Sequence, residues 1–169
     1  RVNENNVDLN RNALERFPGP VNPAYRALNG WLNPSSPPAR FDDFWPQAMW
    51  HTLRLGPTAL RQAIAGGQYE FPRGLFYGGR EPEEALRIFS EILAAPDFGH
   101  VESVVHLDMH SGLGKYGRLH LYAEHPPGSA SWRRWQSAFG ADRVTSGQTP
   151  QTGGYAASGV VANITRRAL

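Results

Sequence analysis

The amino-acid sequence predicts an α/β fold, in which helices pack against a sheet. Residues 102–109 and 118–123 alternate apolar and polar side chains with the period of a β-strand. Before and after these segments, apolar residues recur at helical spacing, most clearly in the stretch that follows Pro82. Helices that alternate with strands along one chain favour a layered α/β architecture.

Length and composition are those of one globular domain, residues 1–169. Of the 169 residues, 40% are hydrophobic, which suffices for a core. No apolar run approaches the roughly 18 residues that a membrane-spanning helix needs, so we expect no membrane partner. The net charge of +2 is small and the arginines are scattered, so we expect no nucleic-acid partner. Without cysteine, a transition metal must be bound by His and carboxylates; a cytoplasmic location fits this composition.

Prolines, glycines and acidic residues predict the helix boundaries. Asp42 and Asp43 suit the positive end of a helix dipole. Pro57 is favourable in a first turn, and a glycine pair is typical of a helix end. The predicted helices are 44–55, 57–65, 81 to about 95, 131–139 (capped by Ser129 or Ser131) and 156–169. Non-helical segments are predicted at 1–12 (short strand or extended surface loop), 17–40 (irregular), 74–80 (tight loop) and 146–154 (polar loop).

The strand predicted at 102–109 carries the first candidate site. Its apolar face, formed by Val105, Leu107 and Met109, is expected to be buried. Its polar face offers His110, with His106 or Asp108, to a metal. Same-face residues on a strand lie about 7 Å apart, which is too far for all three to bind one ion at about 2 Å. We therefore expect one ligand supported by its neighbours, or else a structural histidine.

Two further patterns each allow two interpretations. Residues 112–117 read G-x-G-x-x-G after a strand, but a dinucleotide site needs a helix there, whereas 118–122 alternate like a strand. We interpret this glycine triplet as a chance match. Asn10-Arg11-Asn12 offers a planar guanidinium between two amides, suited to a carboxylate; the alternative is a surface turn.

Three blocks of the sequence together resemble a known family. Val7-Asp8-Leu9-Asn10-Arg11-Asn12 resembles the substrate-carboxylate segment of M14-type zinc carboxypeptidases, and 107–112 (Leu-Asp-Met-His-Ser-Gly) resembles the strand that ends in their last zinc-ligating histidine. With Gly74-Leu-Phe-Tyr-Gly-Gly79 between them, the chain is most similar to the M14-like branch known as the DUF2817 family.

The resemblance implies a zinc-carboxypeptidase-like (phosphorylase/hydrolase-like) fold with a mixed central sheet flanked by helices. It implies that His110 is a zinc ligand and that Arg11, with Asn10, binds the free carboxylate of a peptide or N-acyl amino acid. The implied reaction is hydrolysis of the adjacent amide bond, with a glutamate moving the proton.

The sequence departs from the family pattern at both ends. The family's first two ligands precede the Asn-Arg segment, and its catalytic glutamate follows the ligand histidine. We find neither the two ligands nor the glutamate, so we expect an incomplete fold that is the middle part of a larger catalytic domain. We expect that this chain alone binds zinc weakly and is inactive. The alternatives are a non-catalytic carboxylate-binding relic of the same fold and, from the glycine triplet, a nucleotide-binding domain.

Overall fold

The computed structural model of the chain describes residues 2–37, 39–96, 100–102, 104–110, 116–123, 125–146 and 156–168. Their helices are α1 (Leu9–Asn12), α2 (Pro23–Leu32), α3 (Phe44–Leu55), α4 (Pro57–Ala65), α5 (Glu84–Leu93), α6 (Ala130–Phe139) and α7 (Ala162–Ala168). The strands β1 (Leu121–Ala123) and β2 (Val144–Ser146) form a parallel pair, with Leu121 opposite Val144. A 3₁₀ turn, Ala141–Arg143, precedes β2. This helix-rich arrangement with a small parallel sheet confirms the α/β class in its coarse form.

The chain divides into two compact units. The first unit comprises Arg1–His106 and Ala157–Leu169, and the second comprises Leu107–Ala156. In the first unit, one hydrophobic cluster is formed by α5, α7 and Ala13, which follows α1. A second hydrophobic cluster is formed by α2 and α4. The core of the second unit joins β1, β2 and α6 around Trp132. That residues 1–169 form a single domain stays a prediction.

Helices with local start and stop signals lie where the sequence predicts them. α3 and α4 have the predicted bounds, with Gly56 between them at φ +78°. α6 begins at Ala130, where the Ser129 hydroxyl accepts a 3.1 Å hydrogen bond from the Trp132 N–H. α5 begins at Glu84, three residues later than predicted. None of the helices described here has the length and apolar character needed to cross a membrane.

Three segments differ from their predictions. Residues 23–32, expected to be irregular, form α2, because the Asn22 side chain caps the Tyr25 N–H and Pro23 is compatible with a first turn. The 1–12 segment ends in α1 instead of a strand. The last helix is α7, shorter than 156–169; Gly159 just before it has φ +70°.

The prediction of a strand at 102–109 is wrong for the residues of this segment that the structure describes. Residues 104–110 belong to no β-strand, and Val105, Leu107 and Met109 are 47–80% exposed instead of buried. Alternation gives a segment two faces, but a strand also needs a neighbour that accepts its backbone hydrogen bonds. The second predicted strand, 118–123, is shorter and becomes β1.

Two glycines provide a matched test of the packing in the first unit. A Cβ on Gly78 would lie 2.1 Å from a Tyr69 ring carbon and 2.8 Å from the Arg11 carbonyl oxygen, whereas one on Gly30, exposed in α2, would meet nothing within 4 Å. We expect Gly78→Ala to lower the free energy of unfolding by about 1–3 kcal/mol, because the added methyl group overpacks this site. Gly30→Ala should raise it by about 0.5–1 kcal/mol. Chemical denaturation measures both, and two effects of the same sign would contradict this packing.

Candidate functional site

The predicted carboxylate-binding residue Arg11 lies in the interior of the first unit. Its side chain is 2% exposed, and its Nε and Nη2 atoms donate to the carbonyl oxygen of Ala65 at 3.1 and 2.7 Å. Ala65 is the last residue of α4, and carbonyls there lack intrahelical partners and carry the negative end of the helix dipole. The guanidinium also donates to the Asn10 carbonyl and lies 5.7 Å from the Phe76 ring centre. The end of α4 thus stabilises a buried cation.

Asn12 holds the loop that leads into α5. Its amide nitrogen donates to the carbonyls of Gly78 and Glu81, both at 2.8 Å, and its amide oxygen accepts from the Glu83 N–H at 2.7 Å. Three main-chain groups of one loop are therefore satisfied by a single buried side chain. This is the hydrogen-bonding pattern of a structural asparagine.

Asn10 connects the same segment to the chain before α7. Its side-chain oxygen accepts from the Val161 N–H at 2.9 Å, and nearby the Ala13 N–H donates to the Gly159 carbonyl at 2.9 Å. The surface-turn interpretation of Asn10-Arg11-Asn12 is therefore wrong, because Arg11 and Asn12 are buried. The substrate-binding assignment of Asn10 and Arg11 stays a prediction.

Two further buried polar residues were not predicted, Gln68 and Tyr69. The Tyr69 hydroxyl donates to the Arg11 carbonyl at 2.7 Å. The Gln68 side-chain oxygen accepts from the N–H groups of Glu70 and Phe71 at 2.9 and 2.8 Å. The signal that could have found them is the preceding glycine pair, because a Cβ on Gly67 would lie 2.7 Å from the Arg11 side chain. Glycine there permits close approach of a bulky group.

Burial also perturbs the acidity of Tyr69. Loss of solvent raises its pKa to about 12; the Arg11 guanidinium opposes this rise and the Asp8 carboxylate adds to it. The hydroxyl is therefore a neutral hydrogen-bond donor at physiological pH.

The predicted metal ligand His110 lies in the second unit, paired with Asp108. Its Nε2 lies 2.9 Å from Asp108 Oδ2, and both side chains are exposed. His106 belongs to the first unit, where its Nδ1 is 2.8 Å from the Thr165 hydroxyl and its ring packs near Phe89. The structure thus pairs Asp108 with His110 and gives His106 other partners.

The Asp108–His110 pair fits one zinc ligand together with its supporting carboxylate. A carboxylate on one ring nitrogen of a histidine orients the other nitrogen toward a metal, which here is Nδ1. The described residues contain no group of three or more His, Cys, Asp or Glu that could hold a metal ion. They complete no zinc site by themselves. Of the glycine triplet at 112–117, Gly112 and Gly114 lie outside the described residues.

Comparison with protein families identifies the chain. The model of the family described as "Protein of unknown function (DUF2817)" matches residues 1–169. The chain belongs to the DUF2817 family. This confirms the family that the three sequence blocks indicated. For this DUF2817 chain, neither the curated proteins nor the solved structures give a match.

Replacing Arg11 by lysine tests the buried guanidinium. A lysine keeps the charge but loses the fork that places two donors on the Ala65 carbonyl. We expect Arg11→Lys to lower the free energy of unfolding by about 1–3 kcal/mol. The exposed Arg16→Lys is the control and should stay within about 0.5 kcal/mol of wild type. Equal stabilities for the two variants would contradict a structural role of the fork.

The raised pKa of Tyr69 predicts a loss of stability at alkaline pH. In the unfolded chain a tyrosine has its ordinary pKa of 10.0, whereas burial raises the pKa of Tyr69 in the folded protein to about 12. The stabilisation that neutral Tyr69 gives to the folded state is therefore fully present below pH 10 and is lost as the pH rises toward 12. Tyr25, whose pKa burial also raises, acts in the same direction. Denaturation between pH 8 and 12 should show a shallower decline for Tyr69→Phe than for wild type; equal slopes would exclude the Tyr69 contribution.

Proposed function

We propose that this DUF2817 protein is a zinc-dependent metallocarboxypeptidase or amidohydrolase that hydrolyses an amide bond next to a free carboxylate. The proposal includes the M14-like, zinc-carboxypeptidase-like fold with its mixed central sheet. The observation that carries it is the Asp108–His110 pair, 2.9 Å apart, inside the block that resembles the family's last ligand segment. A peptide or an N-acyl amino acid is the corresponding substrate.

In this proposal His110 binds zinc through Nδ1, and Asp108 fixes the imidazole ring by accepting a hydrogen bond from Nε2. When bound, the metal would supply an activated water and polarise the scissile carbonyl. Asp108 also favours the tautomer that leaves Nδ1 unprotonated, which is the form a metal requires. The described part of the chain contributes one ligand and its support to this site.

Recognition of the substrate carboxylate is assigned to Arg11, assisted by Asn10. Because Arg11 is 2% exposed and already binds the Ala65 carbonyl, a carboxylate reaches it only if the surrounding loop moves. A guanidinium has five N–H donors in one plane, so it can bind a carboxylate while it keeps a main-chain acceptor. The expected consequence is a rise in KM for Arg11→Lys with substrates that carry a free carboxylate.

A second candidate is a non-catalytic carboxylate-binding protein that keeps the same fold. The observation that favours it is the engagement of Asn10, Arg11 and Asn12 in hydrogen bonds that hold the first unit together. These bonds account for the residues of this block without any reaction. If a longer protein that contains this chain and the missing ligands binds an N-acyl amino acid without hydrolysing it, at any zinc concentration, this candidate is favoured.

Zinc content and amide hydrolysis test the enzyme proposal together. In a longer protein that contains this chain together with the missing ligands and the glutamate, we expect His110→Ala to lose bound zinc and activity, and Asp108→Asn to weaken zinc binding about 10–100-fold. This chain alone should bind zinc weakly and remain inactive. His125→Ala, which removes another exposed histidine of the second unit, is the matched control and should keep both. The measurements are zinc per chain and kcat/KM for an N-acyl amino acid against its carboxamide, which lacks the free carboxylate.

Two outcomes would contradict the proposal. If His110→Ala keeps wild-type zinc content and kcat/KM, His110 is not a ligand. If the acid and the carboxamide are cleaved equally well, the free carboxylate is not recognised, and the role of Arg11 is excluded regardless of zinc.

A further inference from the structure

α3 is unusual among the helices of the first unit because none of its residues is buried. One side of it packs against α4 and against Trp31, whose ring lies 5.4 Å from Phe44 and 4.8 Å from His51. The opposite side carries four large apolar side chains that are 60–78% exposed: Trp45, Met49, Trp50 and Leu53. We refer to these four residues as the α3 stripe.

The α3 stripe has the geometry of a helix-packing surface. Trp45, Met49 and Leu53 are four residues apart, so they form one ridge along the helix, and Trp50 lies beside it. The ridge is about 12 Å long at 1.5 Å per residue. A contiguous apolar surface with two tryptophans is the composition of an interface centre and not of an ordinary solvated face.

The charges at the two ends of α3 have opposite signs. Asp42 and Asp43 precede the helix, and Arg54 lies in its last turn. Arg40, which lies 5.5 Å from the Phe41 ring, offsets one of the two carboxylates, so this end stays net negative. The helix is therefore acidic at its beginning, apolar in its middle and basic at its end.

This pattern is complementary to itself when two copies run in opposite directions. With Met49 on the two-fold axis, Trp45 of one helix meets Leu53 of the other, and Asp43 of one lies beside Arg54 of the other. A parallel pair would instead place carboxylates against carboxylates. Helices that bind membrane surfaces carry mainly basic residues on their polar face, which the acidic pair at the start of α3 does not match.

We propose that the α3 stripe is a homodimer interface, in which α3 packs antiparallel against α3 of a second copy of the chain. One helix face from each copy forms a small interface, so the dimer is a weak one, with a Kd on the order of 1–100 μM. This surface belongs to the first unit and uses none of the residues assigned to zinc or to the substrate carboxylate.

Analytical ultracentrifugation of the whole protein across a concentration series tests the proposal. The wild-type protein should be monomeric at low concentration and dimeric at concentrations on the order of 100 μM. Met49→Asp places two carboxylates against each other at the two-fold axis and should weaken the dimer at least about tenfold. Ala85→Asp, on an exposed position of α5, is the control and should dimerise like wild type. Circular dichroism establishes that each variant is folded.

A charge exchange distinguishes the antiparallel pair from other contacts. Arg54→Asp should weaken the dimer, because it then opposes Asp43 of the second copy. Adding Asp43→Arg to the same chain should restore it, because the two opposed charges again differ in sign.

Three results would overturn the proposal: a wild-type protein that stays monomeric at about 100 μM, a Met49→Asp variant that dimerises as tightly as wild type, or a double charge variant no better than Arg54→Asp. Monomeric protein that sediments with phosphatidylserine vesicles would assign the α3 stripe to a membrane surface instead.

Discussion

The first unit depends on one buried interaction, the Arg11 guanidinium against the carbonyl end of α4. A cation with 2% exposure is costly to desolvate unless acceptors replace water, and the Ala65 carbonyl does so with two hydrogen bonds. The dipole of α4 adds to the effect, since its negative end faces the charge. The flanking residues extend the arrangement: Asn12 fixes the loop before α5, and Asn10 fixes the segment before α7. A six-residue block near the start of the chain thus connects three distant parts of the sequence.

The same block has two explanations that are compatible with each other. Its main-chain hydrogen bonds give it a structural role, and its resemblance to a carboxylate-binding segment is the basis of the binding role proposed for it. A side chain whose orientation is fixed by main-chain hydrogen bonds is preorganised for a ligand. The proposed activity therefore connects the stability of the first unit with substrate recognition through one side chain.

The second unit has a different organisation. Its core is the small parallel sheet covered by α6, and its candidate chemistry lies on exposed residues outside that core. Asp108 and His110 gain their relation from local spacing, because residues two apart in an extended segment can turn toward each other. A pair of this kind needs no long-range packing, but the sequence left His106 and Asp108 as alternative neighbours of His110, and the structure shows that the neighbour is Asp108.

Sequence alone determined what depends on neighbouring residues. The bounds of α3 and α4 follow from interactions within a few positions of the chain. The sequence left the cap of α6 open between Ser129 and Ser131, and the partner of His110 open between His106 and Asp108; the structure shows Ser129 and Asp108 in these places. Tertiary structure alone decided which segments are buried. Val105 and residues 107–110 are exposed, and residues 104–110 have no strand partner among the described residues. Arg11 and Asn12 are buried instead of lying in a surface turn. The physical reason is that burial of a polar or an apolar face depends on partners distant in the sequence, such as Asn10 and Val161, which are 151 positions apart, and no local pattern specifies them.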